Sequence, residues 1–346
     1  MIFDPSAAAV PGSGIFGLPC TIEESKVVII PVPFEATTSY RKGTAKAPEA
    51  ILVASHQVDL DDHEVGRPYE AGIAMLPIPK KIAALNRRAT RLADPIIKAG
   101  GEIAPGDIKT LRARKEVHRA GKHVNGWVYQ TAKKFLGDDK KKRIPVVLGG
   151  DHSVAFGAIQ AYAERYPGLG ILQIDAHADL REAFEGFTWS HASVMFNVAN
   201  EIHGVERLVQ VGLRDLSALE VKMIDSGTRL FAPFYDSDIA FRLASGEPFV
   251  KIAGEIVSRL PERVYASFDI DGLDPSLCPH TGTPVPGGLS FNQATILIRT
   301  IKESGRKIVG FDLVEVAPGP RGDDWDANVG ARMLYKLIGF TLLSQQ

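Results

Sequence analysis

Three short segments concentrate carboxylates and imidazoles at spacings that can build a metal centre: Gly149-Gly150-Asp151-His152-Ser153, Asp175-Ala176-His177-Ala178-Asp179 and Asp269-Ile270-Asp271-Gly272-Leu273-Asp274. In an extended chain residues i, i+2 and i+4 face one way, which predicts a shared face for Asp175, His177 and Asp179, and another for Asp269 and Asp271. Carboxylates crowded into a partly dry crevice repel one another unless cations neutralise them, so bound metal ions are the economical reading. A single Asp after a strand reads more simply as a helix cap or turn former. D-x-H-x-D and D-x-D spacings recurring in one chain do not. Cys20 and Cys278 are the only cysteines, too few for a disulfide framework or a cysteine-built site, so the ligands must be histidine and carboxylate. His56, His63, His118, His123 and His203 stand in polar segments without ligand spacing and read as surface residues. Gly149-Gly150 lacks a following Gly-Lys-Ser/Thr, so it reads as a close backbone approach near the site and not as a phosphate loop.

Each of these segments ends an apolar run. Residues 27–32, 144–148, 169–174, 208–211, 264–268 and 308–314 are continuous apolar stretches of the kind found in strands buried on both faces of a parallel sheet. Between them, residues 124–136 and 292–301 repeat their apolar positions at helical spacing. Strands alternating with helices imply an α/β fold, a parallel sheet with right-handed crossovers and helices on both faces. In such a sheet the loops at the carboxyl ends of the strands form the crevice that binds ligands. Residues 1–24, rich in Pro, Gly and Ala, read as an irregular arm, and 25–346 as a single domain, with 99–115 the best candidate for an insertion.

Composition narrows the function classes. In 346 residues, 40 Lys and Arg against 41 Asp and Glu leave no basic excess to track a phosphate backbone, which argues against a nucleic-acid partner. No apolar run approaches the roughly 20 residues of a membrane span. The start of the chain has no positive segment ahead of an apolar run, so a cytoplasmic location is expected.

The three segments resemble the signature motifs of the ureohydrolase family of arginases, agmatinases and formimidoylglutamases, with Ser267-Phe268 extending the third and Pro275 closing it. The resemblance covers roughly residues 25–340, and Ser39-Tyr40-Arg41-Lys42-Gly43-Thr44, Gly282-Thr283-Pro284 and Gly287-Gly288-Leu289 add to it. It implies a three-layer αβα fold around a mostly parallel sheet and two Mn²⁺ per chain. One ion would take His152, Asp175, Asp179 and Asp269, the other Asp175, His177, Asp269 and Asp271, with Asp175 and Asp269 bridging. It also aligns Glu315 with the family's substrate-binding glutamate and His191, in Ser190-His191-Ala192-Ser193, with its proton shuttle. Asp271 is counted with these two among the catalytic residues. For His191 a capping or packing role is the plainer alternative. Family likeness further implies a homo-oligomer, a trimer or hexamer.

An oxygen-rich ligand set with one imidazole per ion suits Mn²⁺, with Ni²⁺ or Co²⁺ left open. Two such ions sharing a water supply hydroxide near neutral pH, and the amine that leaves a guanidino carbon needs a proton. The expected reaction is hydrolysis of a guanidino compound to urea and an amine. Within the family, Asp179-Leu180-Arg181-Glu182 and Phe184-Glu185-Gly186 resemble bacterial agmatinases, which favours agmatine to putrescine. Hydrolysis of guanidine, a guanidino acid or formimidoylglutamate stays open. Glu182 and Glu185 would favour a cationic tail; Arg181 would favour a carboxylate if it points inward, or else forms a structural ion pair. Cys278-Pro279-His280-Thr281 and residues 318–330, with Trp325-Asp326-Ala327-Asn328, depart from the usual pattern. His280 either narrows the pocket or is an exposed loop residue. A non-catalytic binding subunit is disfavoured by the intact ligand positions, and a binuclear phosphoesterase by the missing phosphate loop.

Overall fold

A computed structural model of the chain describes residues 3–10 and 12–346. Eight strands, β1 (Val27–Val32), β2 (Ile73–Met75), β3 (Ile144–Gly149), β4 (Leu169–Ile174), β5 (Val205–Leu213), β6 (Phe231–Tyr235), β7 (Arg263–Asp269) and β8 (Lys307–Val314), make one sheet. Their order is β2-β1-β3-β8-β7-β4-β5-β6, and every pairing is parallel. An all-parallel sheet must be covered on both faces, and side-chain alternation shows how: Val27 and Ile29 of β1 enter one core, Ile30 and Val32 the other. The first core lies under helices Ala47–Ala54, Phe249–Ser258, Phe291–Glu303 and Trp325–Ser344; the second lies under Ile108–Leu136, Phe156–Arg165 and Val194–Glu201. The result is three layers, αβα. Among the described residues no helix is long and apolar enough to cross a membrane.

The six apolar runs are all strands. The two that sequence patterning missed are the edges of the sheet: β2 has only three residues, and β6 carries Pro233. A proline that cannot donate to a ladder is tolerated at an edge, and its presence hides the strand from pattern reading. The helix expected at 292–301 runs Phe291–Glu303, opened by a capping box between Ser290 and Gln293. The segment 99–115 is not an insertion throughout. Asp107 accepts the Thr110 N–H and starts a 29-residue helix, Ile108–Leu136, so residues 108–115 are its first turns. Dense charge on its exposed face made this stretch look like a loop. In the amino-terminal segment Ile15–Gly17 makes a single turn with Phe16 at a left-handed φ of 57°, and the buried Phe16 ring meets Tyr335 edge-on at 4.9 Å.

Strands β3, β8, β7 and β4 are adjacent, and their carboxyl ends deliver His152, Glu315, Asp269 and Asp175 to one place. Gly150 permits this: a Cβ there would stand 2.1 Å from the Phe34 carbonyl oxygen, which accepts the Asp151 N–H at 2.9 Å.

Candidate metal centre

His152 begins the 3₁₀ turn after β3, fully buried. Its Nε2 lies 2.9 Å from Ser267 Oγ, and Ser267 Oγ donates to Asp312 Oδ1 at 3.0 Å. With the hydroxyl proton committed to Asp312, Ser267 accepts from Nε2–H, which leaves Nδ1 with its lone pair free. Nδ1 faces carboxylate oxygens of Asp179 at 2.9 Å, Asp175 at 3.1 Å and Asp269 at 3.4 Å. Buried, it has no hydrogen-bond partner among the described residues. A lone pair aimed into three carboxylates is a ligand geometry, and a cation is what such a set requires.

A second cluster shares Asp175. His177 Nδ1 lies 3.1 Å from Asp271 Oδ2 and 3.5 Å from Asp175 Oδ1, while its Nε2 points toward Asp215 at 3.8 Å. Ligand atoms of His152, Asp175 and Asp179, and again of Asp175, His177 and Asp271, lie close enough to hold one ion each. The carboxylates are themselves held. Gln173 Nε2 donates to Asp175 Oδ2 at 2.7 Å, the Ala176 N–H to Asp271 Oδ1 at 3.0 Å and Thr283 Oγ1 to Asp271 Oδ2 at 3.2 Å. Burial pushes the Asp269 carboxyl well above its ordinary range, and the Asp271 and Asp175 charges add to this. Burial and the Asp175 charge push Asp179 up to about 7. Burial works against a charged His177, yet the Asp271 and Asp175 carboxylates carry it up to about 12. Four carboxylates, two imidazoles and these strong mutual fields fit two divalent cations, the charge the set is built to balance.

Strand alternation is not what brings the ligands together. β4 stops at Ile174, and Asp179 adopts a left-handed φ of 55°, fixed by Met195 and Phe196 N–H groups donating to its carbonyl at 3.1 and 3.0 Å. Asp269 ends β7 and accepts the Asp271 N–H at 2.9 Å, so Asp271 arrives through a 3₁₀ turn and not along the strand. Arg214 secures that turn from outside, donating to the carbonyls of Gly212, Asp271, Leu273 and Val285.

Glu315 follows β8 with a φ of 62°, a left-handed conformation that costs a non-glycine residue of order 1–3 kcal/mol and that its bonds hold in place. Its N–H donates to the Gly150 carbonyl, its carbonyl accepts from Thr281 Oγ1 at 2.7 Å, and Oε1 accepts the His152 N–H at 2.9 Å. Oε2 is buried without a partner among the described residues, and Gly282 leaves the space beside it open. Burial, then the Asp269 and Asp151 charges, push this carboxyl well up. His191 belongs to neither cluster. Its Nε2 is 3.3 Å from Ser39 Oγ and its Nδ1 3.3 Å from Ser190 Oγ, with Phe184 edge-on at 6.1 Å. Burial and the charges of His177 and His152 lower it to about 3.

Around this centre several sequence expectations are decided. Arg181 pairs with Glu220 at 3.6 Å and lies over the Phe184 ring, the arrangement expected of the structural ion pair. Glu182 is exposed; Glu185 is half-buried, with Oε2 lacking a partner among the described residues. His280 is clamped, its N–H and Nδ1 each 2.9 Å from the buried Asp326 carboxylate, and it lines a cavity with Arg41, Lys42 and residues 318–320. Trp325 Nε1 donates to Ser276, and Cys278 is buried in the core. His63, His123 and His203 are exposed as expected. His56 and His118 are not simple surface residues: each is half-buried, with Nε2 on the carbonyl of Gly14 at 3.1 Å and of Gly186 at 3.0 Å. Sequence reading gave no role to Ser267, Asp312, Gln173 and Arg214. Three of these are polar residues inside buried strands, and such a residue must find a partner.

Residues 25–339 match the arginase family. The chain belongs to the arginase family, and it is an enzyme of the ureohydrolase class. It is 34% identical over 321 residues to the N(1)-aminopropylagmatine ureohydrolase of Thermus thermophilus, covering 92% of this chain and 90% of that one. It is 31% identical to the agmatinase of Bacillus cereus, covering 86% of each. Among solved structures, the agmatine ureohydrolase of Thermoplasma volcanium superposes with a TM-score of 0.69 at 25% identity, covering 97% of this chain and 94% of that one.

Proposed function

We propose that the enzyme hydrolyses agmatine, or a similar guanidine with a cationic chain and no carboxylate, to urea and the corresponding amine. Its ions would be two Mn²⁺, with Ni²⁺ or Co²⁺ as substitutes, on His152, Asp175, Asp179 and Asp269 and on Asp175, His177, Asp269 and Asp271. Bound there, the ions supply the acidity that makes water a nucleophile near neutral pH. The observation that carries the proposal is Glu315 Oε2, a buried acceptor without a partner among the described residues, one residue's reach from His152. A guanidinium is planar, cationic and rich in donors, and it meets such a carboxylate with charge-assisted hydrogen bonds. Asp271, fixed by Thr283 and the Ala176 N–H, holds its ligand oxygens in place through the reaction. His191, buried beside the hydroxyls of Ser39 and Ser190 and outside both ligand clusters, would take a proton from the nucleophile's side and hand it to the leaving amine.

Two observations favour a cationic tail. Arg181 lies beside Glu220, its Nε 3.6 Å from Oε2, so a substrate carboxylate would have to compete with that acid for it. Asp215 puts an acidic group 3.8 Å from His177 Nε2, on the more open side of the centre. Steady-state kinetics on agmatine, aminopropylagmatine, arginine, guanidinobutyrate, guanidine and formimidoylglutamate test the proposal. Highest kcat/KM with a carboxylate-free, amine-bearing guanidine supports it; dominance of arginine, guanidinobutyrate or formimidoylglutamate overturns the substrate class.

A further inference from the structure

The opposite end of the sheet holds a second cavity, of ≈ 1010 Å³. Its floor is apolar, formed by Leu136, Ile144, Val309 and Leu342, and basic residues rim it. Two of these are neutralised: Arg67 by Asp61 at 2.6 Å and Arg165 by Asp139 at 2.7 Å. Three are not. Among the described residues Lys26 Nζ reaches only the Lys141 carbonyl, at 3.5 Å. Lys142, in a left-handed φ of 46°, forms no ion pair with any described residue. Arg143 has a side chain only 10% exposed, yet its closest carboxylate is Asp138 at 3.9 Å and its Nε has no hydrogen-bond partner among the described residues. Its Nη2 donates to the Glu23 carbonyl at 3.0 Å. Burial and the neighbouring Lys142 charge both pull the Lys26 ammonium down, the mark of like charges held together.

A chain with net charge −1 thus gathers on one cavity two lysines without an ion pair among the described residues and an arginine whose side chain is nine-tenths buried and whose nearest carboxylate stands 3.9 Å away. Lys142 is exposed and Lys26 half-buried, so both stay solvated, but the Arg143 side chain is largely out of water, and a multivalent anion placed among the three would gain from all of them. We propose that this cavity binds a phosphate-bearing organic anion of the nucleoside-phosphate class, its phosphates on Lys26, Lys142 and Arg143 and its apolar part on the Leu136, Val309 and Leu342 floor. The cavity is of a size that small-molecule sites use, up to about 1,000 Å³, and a guanidinium fork matches phosphate oxygens. β3 separates it from the metal centre: six residues at about 3.3 Å each put on the order of 20 Å between Ile144 and the loop of His152. The ligand therefore touches neither substrate nor metal ligands, and the proposal stands apart from the choice of substrate.

The test is a titration of the metal-loaded enzyme with N-methylanthraniloyl-ADP, with metal kept in slight excess, followed by competition with ADP, pyrophosphate and adenosine. Saturable binding with Kd below about 1 mM, displaced by ADP and more weakly by pyrophosphate but not by adenosine, is expected. Lys26→Glu/Lys142→Glu, two changes at the cavity rim, should weaken binding at least about tenfold and reduce its salt dependence, with kcat on the guanidino substrate unchanged. Arg143→Met should do the same if it folds. Absence of saturable binding, equal binding by the double variant, or binding of adenosine as well as ADP would each overturn the proposal, as would binding of polynucleotides alone.

Discussion

His152 Nε2 lies 2.9 Å from the hydroxyl of Ser267, and this contact decides which nitrogen of the imidazole is free for a metal. Ser267 is in turn oriented by Asp312, fully buried within β8. Replacing Ser267 with Ala removes the acceptor for Nε2–H and lets the ring change tautomer. Metal affinity should fall about 10–100-fold, with activity recovering at high metal concentration. A metal titration of activity checks this; a loss that excess metal does not restore would show that Ser267 acts otherwise.

Much of the centre was legible in the sequence because its ligands are packed into three segments, each directly after a buried apolar run. The clustering of Asp175, His177, Asp179, Asp269 and Asp271 could be seen; the route to it could not. Strand alternation was the wrong reason, since Asp179 turns left-handed and Asp271 arrives through a turn, conformations set by Met195, Phe196 and Arg214 far away in sequence. The supporting residues were visible only as oddities, Gln173, Ser267 and Asp312 being polar in otherwise apolar strands. Edge strands β2 and β6 escaped because one is short and the other contains a proline, features that edges tolerate.

His191 touches hydroxyls and an aromatic edge but no carboxylate of either cluster. His191→Ala should lower kcat on the order of 10²–10⁴-fold while metal content stays at the wild-type value. Elemental analysis beside the kinetics distinguishes the roles, because depletion of metal in the variant would make His191 a ligand.

Glu315→Gln keeps an acceptor for the His152 N–H and removes the negative charge that meets the substrate. Losing a buried charge pair costs about 2–5 kcal/mol, so kcat/KM should fall on the order of 10²–10³-fold. Thermal stability should hold or rise, since the change also relieves a carboxylate that burial and its acidic neighbours disfavour. A large drop in Tm would assign Glu315 a structural role instead.

Chelation should expose the electrostatics of the centre. Asp179 is raised from 3.8 to about 7 by burial and Asp175. A folded carboxyl above its unfolded value retains protons the unfolded chain has released, so the chelated protein loses stability as pH rises across that window. His177 acts in the same direction: raised to about 12, its contribution is full below its ordinary 6.5 and declines as pH climbs toward the folded value. Metal binding has the opposite dependence, because ligands must shed protons to bind. The Tm difference between loaded and chelated protein should therefore widen from about pH 6 to about pH 8. Calorimetry at both values checks it, and a gap that narrows would contradict this picture of the ligands.

The most direct measurement is metal stoichiometry set against rate. Chelated enzyme is reloaded stepwise with Mn²⁺, bound metal is counted by elemental analysis, and urea release from the best guanidino substrate is measured at each step. Two clusters joined through Asp175 predict saturation at two ions per chain, with most of the activity appearing as the second ion binds. Asp175→Asn should abolish both binding steps together. Full activity at one ion per chain, or activity surviving exhaustive chelation, would contradict a two-ion centre.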